Sequence, residues 1–215
     1  MLKTKTIIWD WNGTLLDDVG ICVACMNRLL KIRNIPLIDE HRYREVFTFP
    51  VADYYRAIGF DFAKEAFEGP ANEFINYYQR ALPDISLFEE TISTLQFFKQ
   101  KGLSQFVLSA MEQDTLDKSL NNNKIQHYFD GVFGLNDHYA KGKVEAGKRL
   151  ISGLEMQPNE MVMIGDTLHD LEVAHELGFS VVLVANGHQS KKRLLASGHN
   201  MVIDSLAELP GLFNS

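Results

Sequence analysis

The second half of the chain repeats one pattern: an amphipathic helix, often ended by a glycine, followed by a short apolar run. From residue 84 onward the runs are 106–108, 132–133, 161–164, 181–184 and 201–203. Strands that alternate with helices form βαβ units, and such units build a parallel sheet. These runs are apolar throughout, as expected when helices cover both faces of the strands. We therefore predict an α/β fold with a doubly wound, Rossmann-like parallel sheet.

Residues 17–82 depart from this pattern and contain only helical periodicity. The expected helices are about 18–34, 39–46, 51–58 and 63–80. Pro36, Pro50 and Gly59 punctuate the segment, as expected between helices. A strand pattern at 7–9 precedes this block, so the block interrupts the sheet-forming part of the chain. We predict an inserted all-helical domain at 17–82 and an α/β core made of residues 1–16 and 83–215.

Composition limits the classes of partner. The chain has 215 residues, 46% of them hydrophobic, and a net charge of −7. A nucleic-acid-binding surface would need a basic stripe, so we expect no nucleic-acid partner. The N-terminal residues do not resemble a signal peptide, and no apolar stretch is long enough to span a bilayer. We expect a cytoplasmic protein with no membrane partner, and the sequence does not determine its oligomeric state.

Polar side chains follow several of the predicted strands. They are Asp10 after 7–9, Ser109 after 106–108, Asp166 and Asp170 after 161–164, and Lys143 at the start of a helix after the third strand. Open parallel sheets bind their ligands at the carboxyl ends of the strands. These side chains are therefore expected to meet in one crevice. His169 and His188 lie close by in sequence, and we expect them in surface or core positions.

The residue types in this crevice predict a chemistry. Three carboxylates gather only around a cation, and hard oxygen ligands favour Mg²⁺. A hydroxyl and an ammonium are donors to an anion, so Ser109 and Lys143 suit a phosphoryl group. Each residue alone also fits a structural role: Asp166 and Asp170 as an N-cap and a first-turn acid, and Ser109 as a cap. Their combination at successive strand ends favours a phosphoryl-transfer site.

Four motifs in order carry a family resemblance. They are "DWNGT" at 10–14, "VLSA" at 107–110, Lys143 within "KGKVEAGK", and "IGDTLHD" at 164–170. Together they resemble the haloacid dehalogenase superfamily of aspartate-nucleophile phosphohydrolases, although the motif lysine is followed here by Val144 where the family usually has proline. The helical insertion resembles the cap domain of that superfamily, and the C-terminal part is similar to phosphoglycolate-phosphatase-like members.

The resemblance implies a role for each matching residue. Asp10 would attack phosphorus and form an aspartyl phosphate. Mg²⁺ would be held by Asp10, Asp166 and the backbone carbonyl of Asn12, with Asp170 in support. Ser109 and Lys143 would hold the phosphoryl group, assisted by the backbone of Trp11 and Ala110. Lys141 remains an alternative to Lys143.

Asn12 departs from the family motif. The second acid of that motif protonates the leaving oxygen and then activates water, and an amide does neither. Its backbone carbonyl is kept, so the metal site is expected to survive. We predict a slowed phosphohydrolase that favours leaving groups needing no proton, such as nitrophenolate. A phosphotransferase or mutase, or a catalytically weak phosphate-sensing binding protein, are the alternatives.

The inserted domain is expected to select the substrate. Its candidate pocket residues are Phe49, in the loop 47–50, and Arg56 on the following helix. Arg56 would pair with a substrate carboxylate such as that of phosphoglycolate. The sequence predicts a small phosphorylated metabolite but does not choose among phosphoglycolate, sugar phosphates, nucleotides and pyrophosphate.

Overall fold

A six-stranded parallel sheet forms the core of the computed structural model, which describes residues 4–136, 142–154 and 157–213. The strand order is β3-β2-β1-β4-β5-β6. The strands are β1 Thr6–Trp9, β2 Ser104–Glu112, β3 Gly131–Leu135, β4 Met161–Gly165, β5 Ser180–Val184 and β6 Val202–Ile203. Since β1 pairs in parallel with both β2 and β4, the first strand lies in the middle of the sheet.

Helices cover both faces of this sheet. They are α5 Thr91–Gln100, α6 Gln113–Asn122, α7 Gly142–Ser152, α8 Leu168–Leu177, α9 Lys191–Ala196 and α10 Leu209–Leu212. Successive strand residues point to opposite faces, so Ile7 and Trp9 join one apolar cluster and Ile8 joins the other. The predicted doubly wound α/β fold is confirmed. No helix in the described ranges is long and apolar enough to cross a membrane.

Residues 17–82 form helices and turns between β1 and β2. Four helices, labelled in chain order before α5, make up the insertion: α1 Val19–Ile32, α2 Glu40–Val46, α3 Val51–Ala57 and α4 Glu68–Ala81. The last begins five residues later than expected from the sequence. The Asp61 carboxylate accepts a hydrogen bond from the Ala63 N–H at 3.0 Å, and this local turn competes with helix formation. We refer to these four helices as the cap.

Strand β2 is longer than its apolar run suggests. Its pairing with β1 ends at Val107, whereas the strand continues to Glu112. The register with β3 shifts between Leu108 and Glu112, which marks an irregularity where the strand leaves β1. Such bulges re-aim side chains at sheet edges. Ser109 lies in this irregular part of the strand.

The cap is hydrogen-bonded to the loop that follows β5 and to α9. Arg44 Nε donates to the Gly187 carbonyl at 2.9 Å. Gln189 Nε2 and Arg193 each donate to the Phe47 carbonyl, at 3.0 and 2.6 Å. Because the core loop and the cap satisfy one another's backbone groups, the cap lies directly over the carboxyl ends of the strands.

Gln105 links β2 to its neighbours through buried hydrogen bonds. It accepts from Trp9 Nε1 at 3.0 Å and donates to the Leu95 carbonyl at 3.0 Å.

Gln105→Leu leaves both partners buried without a hydrogen bond, so we expect the free energy of unfolding to fall by about 2–4 kcal/mol. Urea denaturation measures the change. Gln100→Leu, at an exposed helix end, is the matched control and should stay within about 0.5 kcal/mol. Equal effects of the two variants would contradict this role of Gln105.

Candidate active site

Five side chains anticipated from the sequence meet at the carboxyl edge of the sheet. All are at least 94% buried: Asp10, Ser109, Lys143, Asp166 and Asp170. Asp10 follows β1 directly, and Asp166 follows β4. Four of the five line a cavity of about 340 Å³ between the core and the cap, and Asp166 lies next to it. The position of this cavity is the one that open parallel sheets use for ligands.

Lys143 bridges two of the acids. Its Nζ donates to Asp10 Oδ1 and to Asp170 Oδ1, both at 2.5 Å. Burial alone disfavours the charged amine, but the two carboxylates raise the pKa of Lys143 above its usual value. The ammonium is therefore retained inside the site. Lys141, the alternative considered from the sequence, lies outside the described residues.

The three acids form a compact cluster. Asp10, Asp166 and Asp170 each offer an oxygen, and these atoms lie within 4.8 Å of one another. Burial raises the pKa of Asp10 well above its usual value and that of Asp166 to about 6, and the neighbouring carboxylates add to both shifts. One ammonium balances only one of three carboxylate charges. A hard divalent cation fits this donor set, because it would supply the missing positive charge and prefers oxygen ligands.

Hydrogen bonds fix the two acids that follow β4. Asp166 accepts from Thr14 Oγ1 at 3.0 Å and from the His188 backbone N–H at 2.6 Å. Asp170 accepts from the N–H and the hydroxyl of Thr167 and so completes a capping box at the start of α8. The N-cap is Thr167 and not Asp166. Asp170 therefore caps the helix with one oxygen and pairs with Lys143 through the other.

Gly13 allows the turn after Asp10 to approach Asp166. Its φ of +71° lies in the left-handed region, which L side chains rarely adopt. A Cβ at this position would also overlap the Asp166 carboxylate and the ring of His188. The turn can lie this close to Asp166 and His188 only because residue 13 has no side chain.

Asn12 is held by two residues of the cap segment. Its Nδ2 donates to Asp18 Oδ2 at 2.8 Å and to the Tyr78 hydroxyl at 2.7 Å. The Tyr78 hydroxyl itself donates to Asp18 Oδ2 at 2.7 Å. His188 Nε2 lies 3.3 Å from the other Asp18 oxygen, and the Tyr43 hydroxyl is hydrogen-bonded to His188 Nδ1 at 2.8 Å. The residue that departs from the family motif is thus part of a buried polar network.

The charge of Asp18 explains why an amide fits at position 12. Burial by itself would raise the pKa of Asp18, but His188 and the donors Tyr78 and Asn12 hold it below its usual value. Burial likewise opposes protonation of His188, yet the Asp18 carboxylate raises the pKa of His188 to about 9. An amide donates to the ionised Asp18, whereas a carboxylate at position 12 would face a second carboxylate.

Sequence reasoning missed most of this network. His188 stood at a strand end but was expected in an ordinary surface or core position; it is 5% exposed and lines the cavity. Asp18, Tyr43 and Tyr78 were not singled out at all. The contacts that join Asp18 to Tyr78 and to His188 span 60 residues or more, so no local pattern reveals them.

The two residues predicted to contact the substrate from the cap, Phe49 and Arg56, lie in different environments. Phe49 lines the cavity and stacks on His169 with 4.6 Å between ring centroids. The Arg56 side chain is 58% exposed and pairs with Asp53 at 2.6 Å. Arg56 is not among the described residues that line the cavity. An i, i+3 partner on the solvent side of α3 holds its guanidinium, so its position does not support the expected contact with a substrate carboxylate.

Comparison with known proteins identifies the family. A family model for haloacid dehalogenase-like hydrolases matches residues 7–184. The chain belongs to this family. The resemblance carried by the four motifs is confirmed, and the protein is a hydrolase by membership.

Relatives similar to this hydrolase cover nearly its whole length. By sequence it is 21% identical over 214 residues to pyrophosphatase PpaX of Bacillus cereus, covering 97% of this chain and 95% of the relative. By structure it is similar to a haloacid dehalogenase-like family hydrolase from Streptococcus pneumoniae, with a TM-score of 0.85, 20% identity and 100% of both chains covered. A predicted phosphoglycolate phosphatase from Haemophilus somnus aligns with a TM-score of 0.79, 19% identity and 100% of both chains. At these identities the solved structures establish the shared fold.

The network around Asn12 predicts a specific coupling. Asn12→Asp should lower the free energy of unfolding at pH 7 by about 1–3 kcal/mol, because a carboxylate at the partly buried position 12 then faces the buried carboxylate of Asp18. The exchange variant Asn12→Asp/Asp18→Asn restores one amide and one carboxylate and should recover most of the loss. Urea denaturation of the two single variants and the double variant measures the coupling.

Asn76→Asp, at an exposed position of α4, is the matched control and should stay within about 0.5 kcal/mol of the wild type. If the changes in free energy of unfolding of the two single variants add up to that of the double variant, Asn12 and Asp18 do not interact.

Proposed function

We propose that the protein is a Mg²⁺-dependent phosphohydrolase that acts on a small phosphorylated metabolite through an aspartyl phosphate on Asp10. The observation that carries this proposal is the cluster of three buried carboxylates with Lys143 at the sheet end of the cavity, where Asp10, Asp170 and Lys143 line it and Asp166 lies next to it. Such a cluster suits a divalent cation beside a phosphoryl group. Membership of a hydrolase family supports the proposal of a hydrolytic enzyme.

Each residue near the cavity floor has a proposed role. Asp10, Asp166 and the backbone carbonyl of Asn12 would hold Mg²⁺, with Asp170 in support. When bound, the cation would offset negative charge on the phosphoryl oxygens. Ser109 Oγ accepts from the Met111 N–H at 3.1 Å, so its own O–H is directed elsewhere and is available to a phosphoryl oxygen. Lys143 and the backbone of Trp11 and Ala110 complete the proposed phosphoryl site.

The first displacement follows from these roles. Asp10 attacks phosphorus, and the bond from phosphorus to the leaving oxygen breaks with its electron pair on that oxygen. Asn12 has no proton to give to this oxygen. Leaving groups that are stable anions should therefore react fastest, and the aspartyl phosphate should accumulate when water attack is slow.

The nucleophile is tested by Asp10→Asn. Wild type with Mg²⁺ should hydrolyse a nitrophenyl phosphate, and the variant should lose at least about 10³-fold in kcat/KM because the amide does not form the intermediate. Asp84→Asn makes the same exchange at an exposed position and should leave the rate unchanged. Residual activity of Asp10→Asn close to that of the control would exclude Asp10 as the nucleophile.

The metal site is tested by thermal unfolding. Mg²⁺ at about 100 times its Kd should stabilise the folded protein by about 2.7 kcal/mol. Asp166→Asn removes one proposed ligand charge and should abolish most of this stabilisation. Asp114→Asn, at an exposed position of α6, should retain it. The same Mg²⁺ effect in both variants would contradict the assignment of Asp166.

The role of position 12 is tested by the exchange variant Asn12→Asp/Asp18→Asn. It supplies an acid at position 12 without opposing carboxylates, so hydrolysis of an alkyl phosphate should rise by about 10²–10⁴-fold over wild type. If wild type hydrolyses the alkyl phosphate as fast as the exchange variant, another group delivers the proton to the leaving oxygen. Transfer of the phosphoryl group from wild type to an added sugar would favour a phosphotransferase, and phosphate binding without any turnover would favour a sensor.

A further inference from the structure

Apolar side chains dominate the cap side of the cavity. Aromatic rings come from the loop after α2, from α3, and from α4 and the residue before it. The residues that matter most here are Phe47, Phe49, Tyr54, Phe67, Phe74 and Ile75. A surface of this kind binds hydrocarbon or aromatic groups and leaves few partners for a polar one.

Charged groups in the cavity are already paired. Lys143 is the only lysine or arginine among the described lining residues, and it is held by Asp10 and Asp170 at the phosphoryl end. The imidazole of His188 pairs with Asp18. The ring of His169 stacks on Phe49, and its Nδ1 lies 3.6 Å from the carboxylate of Glu172. No described cation is left over for a second anionic group on the substrate.

An anionic substituent would therefore be buried without a partner. Desolvating an unpaired carboxylate costs several kcal/mol in a protein interior. The carboxylate of phosphoglycolate and the second phosphate of pyrophosphate would both carry this cost. The cap wall disfavours such substrates, although relatives are named for them.

The size and the walls of the cavity suit an aromatic ring. An apolar cavity of about 150 Å³ holds one benzene molecule. The cavity of about 340 Å³ has room for a substituted ring beside a phosphoryl group. Aromatic pairs gain about 0.5–1.5 kcal/mol beyond the burial of area alone. The aromatic wall thus favours a ring over an aliphatic chain of equal size.

Asn12 points to the same substrate class by an independent argument. A phenol has a pKa near 10, as in tyrosine, whereas water has a pKa of about 15.7 and alkyl alcohols are similarly weak acids. A phenolate can therefore leave without a proton donor, and an alkoxide is a much poorer leaving group. Asn12, two residues after the nucleophile, and the aromatic wall of the cavity therefore favour the same leaving group, a phenolate.

We infer that the preferred substrate is a phosphate monoester of an aromatic alcohol whose ring is uncharged and apolar. This inference rests on the proposed function. In the first step Asp10 attacks phosphorus, and the aryl oxygen leaves with the bonding pair as phenolate. In the second step water attacks phosphorus, and the bonding pair returns to the Asp10 carboxylate. Both protons of the water remain on the released phosphate, which then transfers one to the phenolate.

Two aryl phosphates test how the cavity binds the substituent on the ring. Their leaving groups have nearly equal acidity, so the rate of the chemical step should not differ between them. They are 4-propylphenyl phosphate and 4-(2-carboxyethyl)phenyl phosphate, in which a saturated chain separates the carboxylate from the ring. Wild type should show a KM at least about 10-fold lower for the propyl compound, a difference of about 1.4 kcal/mol. The two kcat values should be similar. Equal KM values, or a lower KM for the carboxyethyl compound, would overturn the inference.

A new cation in the wall should reverse the preference. Ile75 lies on α4, lines the cavity and is only partly buried, so Ile75→Lys should fold and offer an ammonium to the carboxyethyl compound. Its KM for that compound should fall at least about 10-fold. Ile32→Lys makes the same exchange at a side chain that is 62% exposed and should keep the wild-type preference. An unchanged preference in Ile75→Lys would overturn the inference, provided circular dichroism shows that it is folded.

Titration with the two corresponding phosphonates in the presence of Mg²⁺ separates this inference from the proposed function. Neither phosphonate can be hydrolysed, so calorimetry reports binding alone. Selective binding of the propyl compound without turnover of any phosphate would overturn the proposed function and leave the selectivity of the cavity standing. Turnover without selective binding would overturn the substrate inference alone. Neither turnover nor selective binding would overturn both.

Discussion

The balance of buried charge around Lys143 is the constraint on which the rest of the site depends. Three carboxylates lie within 4.8 Å of one another, and a single ammonium pairs with two of them. Isolated buried charges are unstable, so the fold must hold these groups at fixed positions. Parallel strands bring Asp10 and Asp166 to one edge, and Gly13 lets the turn approach without a clash. The remaining negative charge makes the site suited to a hard divalent cation.

A second network of hydrogen bonds, centred on Asp18, adjoins the acid cluster around Lys143. Asn12 donates to Asp18 and Tyr78, and Asp18 pairs with His188, whose backbone N–H donates to Asp166. The amide at position 12 is thus the complement of an ionised acid from the cap segment. Its presence changes both the expected chemistry and the junction between core and cap. The apolar cap wall fits the same picture, since aromatic leaving groups need no proton from residue 12.

Much of the core could be predicted because its signals are local. Continuous apolar runs predicted the parallel strands, and strand ends indicated Asp10, Ser109 and Asp166. The length of β2 was underestimated, because the strand passes through an irregularity after Leu108 and pairs with β3 again at Glu112, beyond its continuous apolar run. Arg56 was expected in the pocket, but helical periodicity does not say which face of a cap helix meets the core. The partners of His188 come from distant parts of the chain and carry no local pattern.

By itself, the sequence determined the fold class, the helical segment between the first two strands, the family and the polar residues at the strand ends. These depend on periodicity and on motif order, which are properties of neighbouring residues. Only the tertiary structure decided which side chains share a cavity. It brought Asp18 and Tyr78 to Asn12, turned Arg56 to solvent and surrounded the site with aromatic rings. Such contacts arise from the packing of the cap on the sheet, where residues far apart in sequence satisfy each other's hydrogen bonds and charges.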